Sequence, residues 1–103
     1  MNGVELILRE RKRQIAGEGW KSLHDDQHAN GQLADAAVCY AMSGQLRDGM
    51  QIFLRWMWPW ALCWWKPTPN DRIRELTKAG ALIAAEIDRL QRVKRKQRCR
   101  AKR

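Results

Sequence analysis

Residues 68–90, TPNDRIRELTKAGALIAAEIDRL, decide the fold. Thr68, Pro69 and Asp71 read as an N-cap, a proline at the first helical position and an acidic residue at the third, which is the chemistry of a helix start. Ile73, Leu76, Gly80, Ile83, Ile87 and Leu90 then recur at spacings alternating between three and four. That is a seam suited to an antiparallel bundle or a short coiled coil. Glycine in a helix lowers its propensity by about 1 kcal/mol against alanine, so Gly80 belongs where a bulky side chain or another backbone needs the space. The stripe stops at Leu90, because the next seam positions are Lys94 and Gln97. A helix with nothing further to bury should fray over residues 92–103 unless a partner orders it.

Outward from this helix the pattern stays helical. Residues 4–16 place Val4, Leu8 and Ile15 on one face with Ile7 beside it, and Gly17 and Gly19 end the segment. Residues 31–42, with Asn30 as N-cap, carry Leu33, Ala37 and Tyr40 on one face, and their alanines let a second helix approach closely. Residues 46–66 leave three conformations open. Met50, Ile52, Leu54, Trp56 and Trp58 alternate with period two, which favours an extended segment, yet Phe53 and Met57 break the polarity and Pro59 bars a regular central strand. The expectation is a mainly α protein, a small bundle of three or four helices with a Trp-rich irregular or short-strand segment. Residues 1–91 form the single domain and 92–103 a basic tail.

The 103 residues carry 20 Lys and Arg against 11 Asp and Glu, a formal net charge of +9. Placement matters more than the total: residues 1–15 contribute +2, 16–90 contribute −1 and 91–103 contribute +8. The domain is near neutral and its tail is basic. No apolar run approaches the ~20 residues that span a bilayer. Glu5, Arg9 and Glu10 crowd the N-terminal apolar stretch, which makes a poor signal peptide. Cys39, Cys63 and Cys99 are an odd number without a CxxC pair, which argues against a disulfide framework or a four-cysteine zinc site and for a reducing cytoplasm.

The densest chemistry lies in His24-Asp25-Asp26-Gln27-His28. On a helix the two histidines would share a face at the spacing metalloproteases use for zinc, but Asp25 stands where those enzymes have glutamate and the chain has no third histidine. The string can instead be a capped turn, or the polar wall of a ligand pocket. In a pocket, His24, His28 and Lys66 donate to phosphate, while Asp25 or Asp26 accepts from ribose hydroxyls. Trp20 and the tryptophans at positions 56–65 offer flat surfaces for a base, with Trp65 beside Lys66. In the tail, Arg92, Lys94, Arg95, Lys96, Arg98 and Arg100 can neutralise nucleic-acid phosphates without reading sequence.

Glu18-Gly19-Trp20, the His24–His28 cluster, Trp58-Pro59-Trp60, Trp65-Lys66-Pro67 and Lys78-Ala79-Gly80-Ala81-Leu82-Ile83 resemble a family of small proteins of tailed phages and prophages, over residues 9–91. Gly19-Trp20 with the acidic-histidine cluster also faintly resembles ryanodine-receptor-type repeat domains, for which nucleotide-ligand binding has been proposed. The phage resemblance implies action by binding in the host bacterial cytoplasm, without catalysis or cofactor. The reading is a non-enzymatic phage protein that binds a nucleotide-derived small molecule and sequesters a host immune signal in counter-defence. The bundle seam and exposed tryptophans favour a homo-oligomer, and no membrane partner is expected. A nucleic-acid-binding accessory protein acting through the tail is the first alternative, and a metal-dependent hydrolase the second.

Overall fold

Asp71, not Thr68, caps the long helix: its carboxylate accepts from the Arg74 amide at 3.1 Å, and the helix runs Arg72–Ala101. Thr68 lies one turn earlier and donates its hydroxyl to the Asp71 carbonyl. The structure, a computed structural model, describes residues 1–17, 19 and 22–102, with Ser22 and Leu23 as backbone alone. Trp20 lies outside the described residues. In chain order the helices are α1 (Gly3–Gly17), α2 (Ser22–Asp26), α3 (Gln32–Ala41), α4 (Gly44–Gly49), α5 (Gln51–Met57) and α6 (Arg72–Ala101). A 3-10 turn covers Leu62–Trp64, and no strand occurs among the described residues. The protein is mainly α, with six helices among the described residues in place of the three or four expected.

Two of the added helices, α4 and α5, occupy the segment whose alternation suggested an extended chain. Ser43 ends α3 by capping its successor, its hydroxyl accepting from the Leu46 amide at 3.1 Å. In α5 the decisive spacing is four rather than two. Leu54 and Trp58 are buried and Met50 packs against the same core, while Ile52 and Trp56 stand 79% and 86% exposed. Asn2 starts α1 with a reciprocal box: its side chain accepts from the Glu5 amide at 2.9 Å and its own amide donates to the Glu5 carboxylate.

α6 is the spine, packing most extensively on α3 and then on α1. The alanine-rich face of α3 does what its composition predicts: Leu33, Ala36, Ala37 and Tyr40 are buried against Ala79, Leu82 and Ala85 of α6. Small residues on both helices set the close approach. One consequence contradicts the sequence expectation. The face of α6 turned inward carries Glu75, Ala79, Leu82, Glu86 and Arg89, and the Ile73-to-Leu90 stripe is turned out. On α1, likewise, Glu10 and Gln14 are buried whereas Val4, Leu8 and Ile15 are exposed. The notch at Gly80 is filled by Ile7: a Cβ there would stand 2.5 Å from the Ile7 Cδ1. α6 also continues through the basic tail to Ala101, with residues 93–102 all exposed.

Buried charges are each matched. Glu75, fully buried, accepts from Arg47 at 2.8 Å, from Arg72 at 2.9 Å and from the Thr68 amide at 3.0 Å. The same arginines donate to the last carbonyls of α3, those of Tyr40, Ala41 and Met42. Two cations at a helix C-terminus satisfy its orphan acceptors and complement its dipole. Burial works against the Glu75 carboxylate, but the hydrogen bonds and charges of Arg47 and Arg72 outweigh it and hold the group below its ordinary value of 4.5. This knot ties α3, α4 and the start of α6 together and thereby positions Tyr40 and the chain from Lys66 to Thr68.

Candidate functional site

A cavity of about 510 Å³ opens between α1, the α2 segment, the Trp-rich turn and α6. That is within the range that takes small organic ligands. One wall is aromatic. Trp58 is its hub, with ring centroids 5.3 Å from Trp60, 5.0 Å from Trp65 and 5.6 Å from Tyr40. Its indole N–H donates to the Ala61 carbonyl at 3.1 Å, which fixes the 3-10 turn that carries Trp64 to the rim. Tyr40, Trp58, Trp60 and Trp64 all line the cavity.

The opposite wall comes from α1 and α6. Glu10 is held by Arg13 at 2.7 and 2.8 Å, by Arg74 at 3.3 Å and by Gln14 at 3.3 Å. Burial raises its pKa, but these partners, Arg13 foremost, bring it below the usual carboxylate value, so it is ionised and neutralised in place. Lys66 and Lys78 complete the rim. The Lys66 ammonium sits 5.8 Å from the Trp64 ring and its amide donates to the Tyr40 hydroxyl. Lys78 donates to the Lys66 carbonyl and lies 5.4 Å from the Tyr40 ring. Among the described residues, four Lys and Arg side chains thus line the cavity against the carboxylate of Glu10.

His24 and His28 also line it, their ring centroids 4.9 Å apart and edge to face. α2 stops at Asp26, so the pair meets across a turn, and His28 packs on Trp60 at 5.0 Å. Burial, with the neighbouring His24, depresses the His28 pKa, and this favours the neutral imidazole. Two buried polar atoms of the lining have no hydrogen-bond partner among the described residues: the Trp60 indole nitrogen, a donor, and the Gln14 Oε1, an acceptor. Such atoms are costly to bury unless something satisfies them, about 1–3 kcal/mol each.

Of the residues singled out from sequence, His24, His28 and Lys66 meet at this cavity. Asp25 and Asp26 do not line it. Asp25 is fully buried, where a carboxylate demands a cation, and pairs with Arg11 at 2.8 Å. Asp26 accepts from Arg92 at 2.8 Å, so the first residue of the tail is tied to the domain. Trp65 belongs to the core behind the wall, 4.8 Å from Tyr40. Sequence reading missed Gln14, Arg13, Arg74 and Lys78. Arg74, Lys78 and Leu82 follow one another at four-residue steps along α6 and share one face of it. No three His, Cys, Asp or Glu side chains gather into a metal-binding set among the described residues. Nor, among those residues, is any helix long and apolar enough to cross a membrane. No family model, curated protein or solved structure matches the chain.

Proposed function

We propose that the cavity binds a planar, anionic small molecule of the nucleotide or ADP-ribose class, without transforming it. The carrying observation is one cavity whose described lining joins an aromatic wall to four Lys and Arg side chains and to two buried, unpartnered polar atoms. A base stacks on Trp64 or Trp60, and Lys66, Lys78 and Arg74 take the phosphates. Gln14 Oε1 accepts from an amine or hydroxyl of the ligand, the role first expected of Asp25 or Asp26, and the Trp60 indole donates. Withholding a host immune signal is the biological role we propose for this binding, on the phage resemblance alone.

Thermal shift and titration calorimetry with ADP-ribose and cyclic dinucleotides, and with adenosine as the unphosphorylated control, test the reading. At a hundredfold excess over Kd a ligand adds about 2.7 kcal/mol, which in a domain this size raises Tm by roughly 10–20 °C. Lys66→Ala and Trp64→Ala, both at exposed positions, should abolish that shift and leave the unliganded Tm in place. A panel without any shift, or variants that keep it in full, would overturn the proposal. One observation favours a second reading. The exposed helical extension of α6 beyond Arg92 carries basic residues and no acid, a surface for nucleic-acid phosphates.

A further inference from the structure

The outer face of α6 is used by neither the cavity nor the core. Ile73, Leu76, Ile83, Ile87 and Leu90 are all exposed, Ile73 at 68% and Ile83 at 47%, with no charged side chain at a stripe position. Ile7 lies over Gly80 and makes the stripe continuous, and Val4 and Leu8, also exposed, flank Ile7 along α1. Meanwhile Glu75, Glu86 and Arg89 are buried on the inward face of the same helix. Aliphatic groups in water with ionised groups inside reverses the sorting expected of a lone domain.

We infer that a second copy of this chain covers the face, α6 against α6 in antiparallel register about a two-fold axis between Gly80 and Ile83. The stripe reads the same in both directions, with spacings of three, four, three, four and three. Reversal therefore sets Leu90 opposite Ile73, Ile87 opposite Leu76 and Ile83 opposite Ile7, which fills the notch at Gly80. Each copy supplies the complement of its own surface, as an isologous interface requires. Parallel pairing would set Gly80, with Ile7 over it, against its own copy.

Charge selects the same direction. Parallel helices would hold two tails of eight basic residues about 10 Å apart. Antiparallel helices place the tail centres roughly 45 Å apart, several Debye lengths at physiological salt, and bring Arg92 of each copy to the level of Asp71 in the other. The area is sufficient. A Leu or Ile side chain offers on the order of 100 Å² of apolar surface. Eight such side chains, about half exposed, then give each copy roughly 400–500 Å². With the polar rim of a homodimer interface this reaches roughly 700–800 Å² per partner, close to the standard size of a specific interface.

Sedimentation equilibrium and native mass spectrometry of the full chain should find twice the 12.1 kDa protomer mass. Ile83→Glu, at an exposed position beside the axis, should weaken self-association at least a hundredfold and leave helicity unchanged. Orientation is read in a Cys63→Ser, Cys99→Ser background. Ile73→Cys combined with Leu90→Cys should oxidise to a covalent dimer, and Ile73→Cys alone should not. A monomer at 100 µM would overturn the inference, as would a monomer that instead retains a foreign polypeptide. So would a dimer indifferent to Ile83→Glu, or rapid self-crosslinking of Ile73→Cys.

Discussion

Replacing Glu75 by glutamine tests the knot that holds α3 to α6. The amide keeps the carboxylate's shape but removes its charge and one of its acceptors, while Arg47 stays buried against it. Breaking one side of a buried pair destabilises by about 3–5 kcal/mol, because a charge is left in low dielectric without compensation. Arg72 is about one-third exposed, and solvent screens most of its share, so the lower figure is the expectation. For a domain this size 3 kcal/mol corresponds to a Tm fall of roughly 12–24 °C, read by thermal and urea unfolding followed by circular dichroism. Acidity supplies an internal control. The folded Glu75 pKa lies below its ordinary 4.5, so its contribution is complete above that value and is lost as pH falls through the folded value. The gap between wild type and variant should therefore be largest at neutral pH and close in acid. Adding Arg47→Met to Glu75→Gln should recover part of the loss by removing the orphaned cation. A loss under about 1 kcal/mol at pH 7, or a gap unchanged between pH 7 and 3, would refute the reasoning.

Other perturbations follow from the same geometry. Gly80→Ala should destabilise by about 1–2 kcal/mol, because its Cβ meets Ile7, and in an Ile7→Ala background the same change should stabilise by up to ~1 kcal/mol; urea midpoints of the four variants decide it. Arg11→Met strands the buried Asp25 charge and should cost about 3–5 kcal/mol, measured likewise. Because burial depresses the His28 pKa, protonation favours the unfolded chain, so stability should fall as pH drops below about 6.5 and level off under the folded value; His28→Asn should flatten that part of the Tm profile between pH 7.5 and 5.5. Deleting residues 92–103 should abolish salt-sensitive nucleic-acid retention and spare any cavity ligand, as gel shift and calorimetry on the same variant would show.

The positions of α1, α3 and α6 were legible in the chain from their apolar spacing and bounding Gly, Ser and Asp residues. Those of α2, α4 and α5 were not, and α3 starts at Gly31 without the side-chain cap expected of Asn30. Orientation was less legible. The Ile73-to-Leu90 stripe has a better heptad pattern than the face that is buried, and pattern alone assigns the better stripe to the core. What overrules it is alanine: Ala36 and Ala37 on α3 approach closely only where α6 also offers Ala79 and Ala85. Local spacing cannot weigh that pairing, because it joins residues more than forty positions apart. In residues 46–66 the period-two alternation was genuine but incidental, and the fourfold step Met50, Leu54, Trp58 carried the packing. At the cavity, His24, His28 and Lys66 were found because their residue types are unusual in context. Gln14 escaped notice because a glutamine in a helix looks like solvated surface until burial shows otherwise. Asp25 and Asp26 lie away from the cavity lining because distant arginines, Arg11 and Arg92, pair with them, and a sequence displays carboxylates but not such partners.

The indole cluster around Trp58 also gives the molecule an optical signature. Chromophores held 5.0–5.6 Å apart at fixed angles couple their transitions, so Trp58, Trp60 and Trp65 should produce a strong near-ultraviolet dichroic band that vanishes when the turn loosens. Trp56, out on α5, contributes an unstructured, water-quenched background. Trp64 stands apart at the cavity mouth with Lys66 beside it, so its emission would answer to whatever enters, and a ligand that reaches Trp60 would alter the coupled band as well. Occupancy and integrity of the fold can thus both be followed in one unlabelled sample.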